Sequence, residues 1–593
     1  MCGIAGIISF REKVDEQGLV AMRDRIKHRG PDGDGIYLSE NGHTGLAHRR
    51  LSFLDLSDNG RQPMSNETGD VWLVFNGEIY NYPTIKNELI AKGHVFSSTC
   101  DAEVIVHGYE EWGTHVVKRL KGMFALAIWD ARKHELFLAR DRFGIKPLYY
   151  YHTEEHLIFA SEIKAIHAYP GVKLEINERS ISEFLTYRYV PPPNTIYRKV
   201  KKLPPATFLT IKENGAWADE RYWNLESANL LKDEREVVHE VDRLLLRSVE
   251  GHLLSDVPVG SFLSGGYDSS AMVYYANRLQ YPLQTFSIGF DNWDDSEHRY
   301  ARIVADLFHT QHKETVLPDT SIFMAEDLGW VYDEPLADIS IIPTYAVSQL
   351  AAKNVKAVLS GEGADELFGG YWWQKKFFND YGKRRLLLDM NNIFRPNHPI
   401  QLKDYAEAMS MGYFGSAELE DILSPRLQKY IPEDTLWFYR RHLDTGLSPL
   451  KSIQYMDINC FMAELVLQKI DRASMANSLE VRVPFMDHEL FELVFSLDEK
   501  VYFKPEATKF LLFENLKGHL PEVILNRPKQ GFVGPDQYFM NIDHYRKVLV
   551  NGHLLMHDII TDKGLNKLLA AKDHWRLWKL LVLEYWVRKW LSN

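Results

Sequence analysis

Two proline clusters divide this 593-residue chain, Val190-Pro-Pro-Pro-Asn and Leu203-Pro-Pro. Proline fixes φ and lacks an N–H, so neither cluster fits inside a helix or a central strand. The hydrophobic patterning differs on the two sides. Before the clusters, Val71–Phe75, Ala125–Trp129, Glu135–Ala139 and Leu157–Ser161 are short β-rich runs bounded by turn or charged residues, and Tyr82–Lys92 and Ala102–Trp112 read as helices. Beyond Glu234 helices dominate and alternate with the apolar segments Val257–Leu263, Thr285–Phe290 and Val355–Leu359. That alternation predicts a parallel sheet covered by helices. The length exceeds what one core supports. The expected division is a first domain over 1–210, a linker over 211–233 and a second domain over 234–593.

Composition narrows the function classes. A chain that is 45% hydrophobic and 25% charged is globular. Its net charge of −12 argues against a phosphate-backbone binder, so no nucleic-acid partner is expected. Three cysteines, Cys2, Cys100 and Cys460, are too few for a disulfide framework and suit a reducing cytoplasm. The apolar N-terminus lacks a preceding basic segment and is not read as a secretory signal. The aromatic stretch Trp575–Leu591 is broken by Arg576, Lys579, Glu584, Arg588 and Lys589. It reads as a helix packed on the core rather than a membrane span.

Cys2 directly follows the initiator methionine. With Met1 removed, one residue would carry a thiol and an α-amine, whose reference pKa of roughly 8 lets it accept the thiol proton. Position alone leaves a buried structural cysteine equally open. The surrounding motifs change that balance: Cys-Gly-Ile-Ala-Gly at 2–6, His-Arg-Gly-Pro-Asp at 28–32, His-Arg-Arg-Leu-Ser at 48–52, Asn-Gly-Glu-Ile-Tyr-Asn at 76–81 and Arg-Asp-Arg-Phe-Gly-Ile-Lys-Pro-Leu-Tyr at 140–149. In this order they resemble the class-II glutamine amidotransferases, which implies the α+β four-layer fold of N-terminal-nucleophile hydrolases. The resemblance implies that Cys2 is the nucleophile and that Asn76 and Gly77 form the oxyanion hole a tetrahedral intermediate needs. It also implies that Arg50 forks the glutamine α-carboxylate and that Glu78 and Asp101 lie at its ammonium end. Cys100 reads as structural.

Ser264-Gly-Gly-Tyr-Asp-Ser-Ser270 follows an apolar strand and leads into a helix expected over Ala271–Leu279. Glycines at a strand–helix junction let the backbone approach an anion, and the new helix aims free N–H groups at it. No Gly-Lys-Ser/Thr follows, so this is not a Walker loop. Ser360-Gly-Glu-Gly-Ala-Asp-Glu366 sets a second glycine loop at a strand's carboxyl end, where open α/β sheets bind ligands. Both loops, with Arg527-Pro-Lys-Gln-Gly-Phe532, resemble the N-type ATP pyrophosphatases, an α/β parallel-sheet fold. By that resemblance ATP is held by Leu263, Ser264, Gly265, Gly266, Asp268, Ser269, Ser270, Ile288, Ser360 and Gly361. Mg²⁺ would sit on Asp268 and Asp365, whose hard oxygens suit it. Lys529 would stabilise departing pyrophosphate, and Glu362 would act as base near the acyl group. Gln468-Lys-Ile-Asp-Arg472 and Ser478–Phe485 read as scaffold and pocket wall. His298, His309 and His312 lack the companions of a zinc site.

A glutaminase-like front and an ATP-pyrophosphatase-like back resemble the glutamine-hydrolysing asparagine synthetases over nearly the whole chain. This implies an enzyme that amidates L-aspartate with glutamine and ATP. Its partners would be small-molecule substrates, with no membrane partner and a homodimer as the expected assembly. Tyr267 stands where those synthetases typically carry leucine, and Ala337–Thr344 also departs from their usual form. These departures keep open a uronic acid or other sugar carboxylate as acceptor.

Overall fold

The computed structural model describes residues 2–291, 293–294, 296–318, 320–321, 324–379 and 400–591. The front of the chain is a sandwich of two six-stranded antiparallel sheets. One has the order Val200–Lys202, Tyr149–His152, His156–Ala160, Gly3–Ser9, Thr44–Arg50 and Gly33–Leu38. The other runs Trp217–Arg221, Thr207–Lys212, Glu135–Arg140, Gly122–Asp130, Val71–Ile79 and Met64–Ser65. Helices Glu16–Arg25 and Ile163–His167 cover the first sheet, and Tyr82–Ala91 and Glu103–Trp112 lie outside the second. The result is the four-layer arrangement of the N-terminal-nucleophile type.

Period-two alternation explains why these strands read as unbroken apolar runs. Along Gly122–Asp130, Ala125, Ala127 and Trp129 face the opposing sheet, while Phe124, Leu126 and Ile128 face the helices. Neither face meets water, so no polar residue alternates.

The back half is built on five strands ordered Gln311–Leu317, Gln284–Phe290, Val259–Phe262, Ala357–Leu359 and Glu480–Arg482. Every pairing is parallel. The strand order reverses at Val259–Phe262, which has its next strand in sequence on one side and Ala357–Leu359 on the other. Such a switch point opens a crevice at the carboxyl ends of the two neighbours. Both glycine loops emerge there. The helix after the first loop spans Tyr267–Arg278, starting a turn earlier than the pattern Ala271–Leu279 predicts, so Asp268, Ser269 and Ser270 lie in its first turn.

The terminal helix His574–Trp590 buries Trp578 and Trp586. Its buried Lys579 donates to the carbonyl oxygens of Leu185 at 2.7 Å and Gly412 at 2.8 Å. Among the described residues no helix is long and apolar enough to cross a membrane.

Candidate active sites

Cys2 opens the central strand of the first sheet, and its side chain is buried against Leu51, whose carbonyl oxygen lies 3.9 Å from Sγ. Burial pushes its thiol pKa up. Asn76 reaches it from the second sheet. The Cys2 N–H donates to Asn76 Oδ1 at 3.1 Å, and Asn76 Nδ2, fully buried, makes no hydrogen bond. A desolvated donor without a partner is costly. Beside a thiol, such a free donor can serve a developing negative charge. Gly77 follows in the strand, where a Cβ would lie 2.0 Å from the Met123 carbonyl oxygen, so only glycine permits this approach.

Glu78 and Asp101 are buried together. Desolvation holds Glu78 well above the usual carboxylate range, against the pull of Arg482 at 3.2 Å. Desolvation likewise raises Asp101 to about 6, although its Oδ2 accepts from the Ile79 N–H at 2.8 Å. A cation brought between them would favour their ionised forms. Arg50 ends the strand Thr44–Arg50, and its guanidinium donates to the carbonyl oxygens of Ser57, at 2.8 Å, and Asp55. Cys100, adjacent to Asp101, is buried and its thiol is pushed well up by desolvation.

The second site lies at the crevice of the parallel sheet. Gly265 adopts φ +75°, and a Cβ there would fall 2.4 Å from the Tyr300 backbone. Ser264 and Ser269 tie the loop through a contact of 3.1 Å between their hydroxyls, while Ser270 Oγ is buried without a partner. Leu263 joins the loop to the strand that carries Ile288 by donating to the Phe286 carbonyl at 2.9 Å. Gly361 packs on Asp268, where a Cβ would be 2.7 Å from the aspartate Cβ. Ser360 donates its hydroxyl to Glu362.

Asp268 and Asp365 converge on one ammonium. Lys509 Nζ lies 2.5 Å from Asp268 and 2.7 Å from Asp365, and Lys529 also pairs with Asp365. Burial alone would raise Asp365; Lys509 and Lys529 outweigh it and bring it to about 2. Asp268 stays raised by burial. The shared ammonium shows that the carboxylates can address a single cation, and their hard oxygens fit Mg²⁺. Lys509 carries no motif signal; only the fold brings it here. Arg527 anchors the late lysine segment, reaching the Ser264 carbonyl at 3.3 Å, Glu297 at 3.1 Å and the Tyr300 ring.

The segments read as scaffold join the two sites. Arg29, fully buried, donates to the Cys2 carbonyl at 3.1 Å and pairs with Glu162 and Asp471, each at 2.8 Å. Arg472 continues the network to Glu162 at 3.1 Å and Asp333 at 2.8 Å. Arg482 belongs to both centres: its carbonyl accepts from the Ser360 N–H at 2.8 Å, and its guanidinium pairs with Glu78.

The family profile described as "Glutamine amidotransferase domain" matches residues 1–223, and one described as "Asparagine synthase" matches residues 240–588. The chain is 34% identical over 630 residues to asparagine synthetase [glutamine-hydrolyzing] 1 of Bacillus subtilis, covering 99% of this chain and 96% of that protein. It is 32% identical to a putative asparagine synthetase of Mycobacterium bovis, covering 99% and 97% of the two chains. To the protein called amidase chry2 of Gibberella zeae it is 29% identical, covering 92% and 91%. Fold and profiles together define an ATP-using glutamine amidotransferase. The chain belongs to the glutamine-hydrolysing asparagine synthetase family.

Proposed function

We propose that the carboxylate amidated is L-aspartate, so that the reaction yields L-asparagine, glutamate, AMP and pyrophosphate. The observation that carries the coupling of the two halves is Arg482, bonded at once to the Ser360 loop and to Glu78. In this reading Cys2, freed of Met1, attacks the glutamine amide carbon while its α-amine takes the thiol proton. Asn76 Nδ2 and the Gly77 N–H hold the oxyanion. Arg50 orients the α-carboxylate, and Glu78 and Asp101 hold the α-ammonium. Ammonia leaves, and water releases glutamate from the thioester.

In the second site the serine and glycine donors of the 264–270 and 360–361 segments hold the phosphates, with Leu263 and Ile288 against the nucleotide. The aspartate side-chain oxygen bonds to the α-phosphorus as pyrophosphate departs, its growing charge met by Lys529. Mg²⁺ on Asp268 and Asp365 supplies further charge neutralisation when bound. Ammonia then adds to the acyl carbon, Glu362 takes a proton, and AMP leaves. An interior route would keep ammonia from water, where most of it becomes protonated.

Tyr267 does not argue against aspartate. Its hydroxyl donates to the Leu525 carbonyl and its ring packs near Phe513, so the substitution is absorbed by packing. Ala337–Thr344 is likewise engaged internally, Asp338 capping Ser340, whose hydroxyl accepts from Lys469 at 3.0 Å. The test incubates native enzyme and the Cys2→Ala variant with ATP, Mg²⁺ and each acceptor, with glutamine or with ammonium. Asparagine should form from aspartate in all cases except the variant with glutamine. Amide formation on a uronate, with none on aspartate, would assign the chain to sugar-carboxylate amidation instead.

A further inference from the structure

A group of metal-binding side chains lies outside both sites, beside the outer helix of the front domain. Glu67 sits in the turn between Met64–Ser65 and Val71–Ile79. His94 follows the helix Tyr82–Ala91, and His107 and Glu110 stand three residues apart on Glu103–Trp112. One donor atom from each lies within 4.8 Å of the other three.

The details are those of a ligand set rather than of a closed ion-pair network. His107 is 1% exposed, yet neither of its ring nitrogens makes a hydrogen bond, and neither does Glu110 Oε2. Its Nδ1 lies 3.3 Å from Glu67 Oε2 and 3.6 Å from Glu110 Oε2. His94 Nδ1 is 3.9 Å from Glu67 Oε1 and 4.0 Å from Glu110 Oε2. Charge-assisted hydrogen bonds close to about 2.7–2.9 Å; these gaps do not. Meanwhile the other oxygen of each glutamate is tied down. Glu67 Oε1 accepts from the Val95 N–H and Glu110 Oε1 from the Asn66 amide, both at 2.8 Å. Outer partners of this kind orient first-shell ligands around an ion.

We propose that Glu67, His94, His107 and Glu110 form a structural site for a divalent transition metal, with zinc as the reference ion. Bonds of about 2.0–2.2 Å in a tetrahedron set donors roughly 3.4 Å apart, so donors now within 4.8 Å of one another need to close by up to about 1.4 Å. Two imidazoles with two carboxylates favour zinc, cobalt or nickel over the magnesium suited to the ATP site. The metal would pin the 66–70 turn and the connection after His94 to the helix 103–112. That connection ends at Asp101, so occupancy stiffens the approach to the glutamine pocket.

Zinc titration of chelator-treated, full-length protein, followed by calorimetry and melting temperature, tests this directly. Cobalt absorption reports the geometry. One equivalent should bind with tetrahedral cobalt bands and a rise in melting temperature that saturates at that equivalent. His107→Ala removes a buried ring and is a poor test by itself. Glu67→Gln and His94→Ala lie nearer the surface, and each should weaken binding about tenfold or more. Absence of stoichiometric zinc binding overturns the proposal. So does binding that survives in the Glu67→Gln/His94→Ala double variant, which would point to the thiols. A melting temperature that responds to pH but not to zinc would reduce the cluster to a proton-binding network.

Discussion

Asn76 holds two roles in one side chain: its oxygen fixes the Cys2 backbone while its buried amide nitrogen is left without a partner. Asn76→Ala should lower the glutaminase kcat by about 10²–10³, the usual cost of one oxyanion donor. Amidation from ammonium salts, measured as pyrophosphate release, should be unchanged. Asp101 yields a pH prediction. Burial raises its carboxyl to about 6, so it is ionised above that pH and neutral below. A neutral acid cannot pair with the glutamine ammonium. The KM for glutamine in a glutaminase assay should therefore rise, by up to about tenfold per unit, as pH falls below about 6. Asp101→Asn should raise KM at neutral pH and flatten that dependence.

The glycine loops show what strand–helix junctions contribute. The loop after Val259–Phe262 brings Asp268 into the first turn of its helix, and the loop after Ala357–Leu359 brings Asp365 alongside. Neither carboxylate is balanced by its own element. Lys509 arrives from the segment preceding Phe510–Leu516 and spans both. Lys509→Met should leave Asp268 without its ammonium and only Lys529 on Asp365, and slow ATP-to-AMP turnover by about 10²-fold or more. Glutaminase activity at Cys2 should continue, and loss of both activities in a folded variant would place Lys509 in the scaffold instead.

Across the whole molecule, the halves are held by buried charges. Glu162 lies under Arg29, Arg472, Lys164 and His28. Burial alone would raise its pKa; the surrounding cations bring it well below its ordinary 4.5. A folded pKa below the unfolded one contributes stability above the unfolded value, and this is lost as pH falls. Glu162→Gln leaves those cations unbalanced and should cost about 3–5 kcal/mol at pH 7, as breaking buried pairs does. Calorimetry should also show a shallower fall in melting temperature for the variant than for the native chain as pH drops below about 4.5.

Strand and helix positions were legible in the sequence because two covered faces demand unbroken apolar runs, as in Ala125–Trp129, and because glycine at a strand's end has few other uses. Resemblance to family motifs singled out Cys2, Asn76, Glu78 and Asp101, and separately Asp268, Asp365 and Lys529, and the structure places each set close together. The sequence pattern places the start of the helix Tyr267–Arg278 a turn late, since a loop that donates N–H groups and a helix's first turn share the same residues. Lys509, the double engagement of Arg482 and the Glu67–His94–His107–Glu110 group had no local signal. Lys509 and Arg482 meet partners far along the chain, and buried pairs here reach 442 residues apart in Arg29–Asp471. Local patterning and chemistry belong to the sequence by itself. Which buried charges meet was decided only by the tertiary structure, because burial makes a charge depend on whatever partner the fold carries to it.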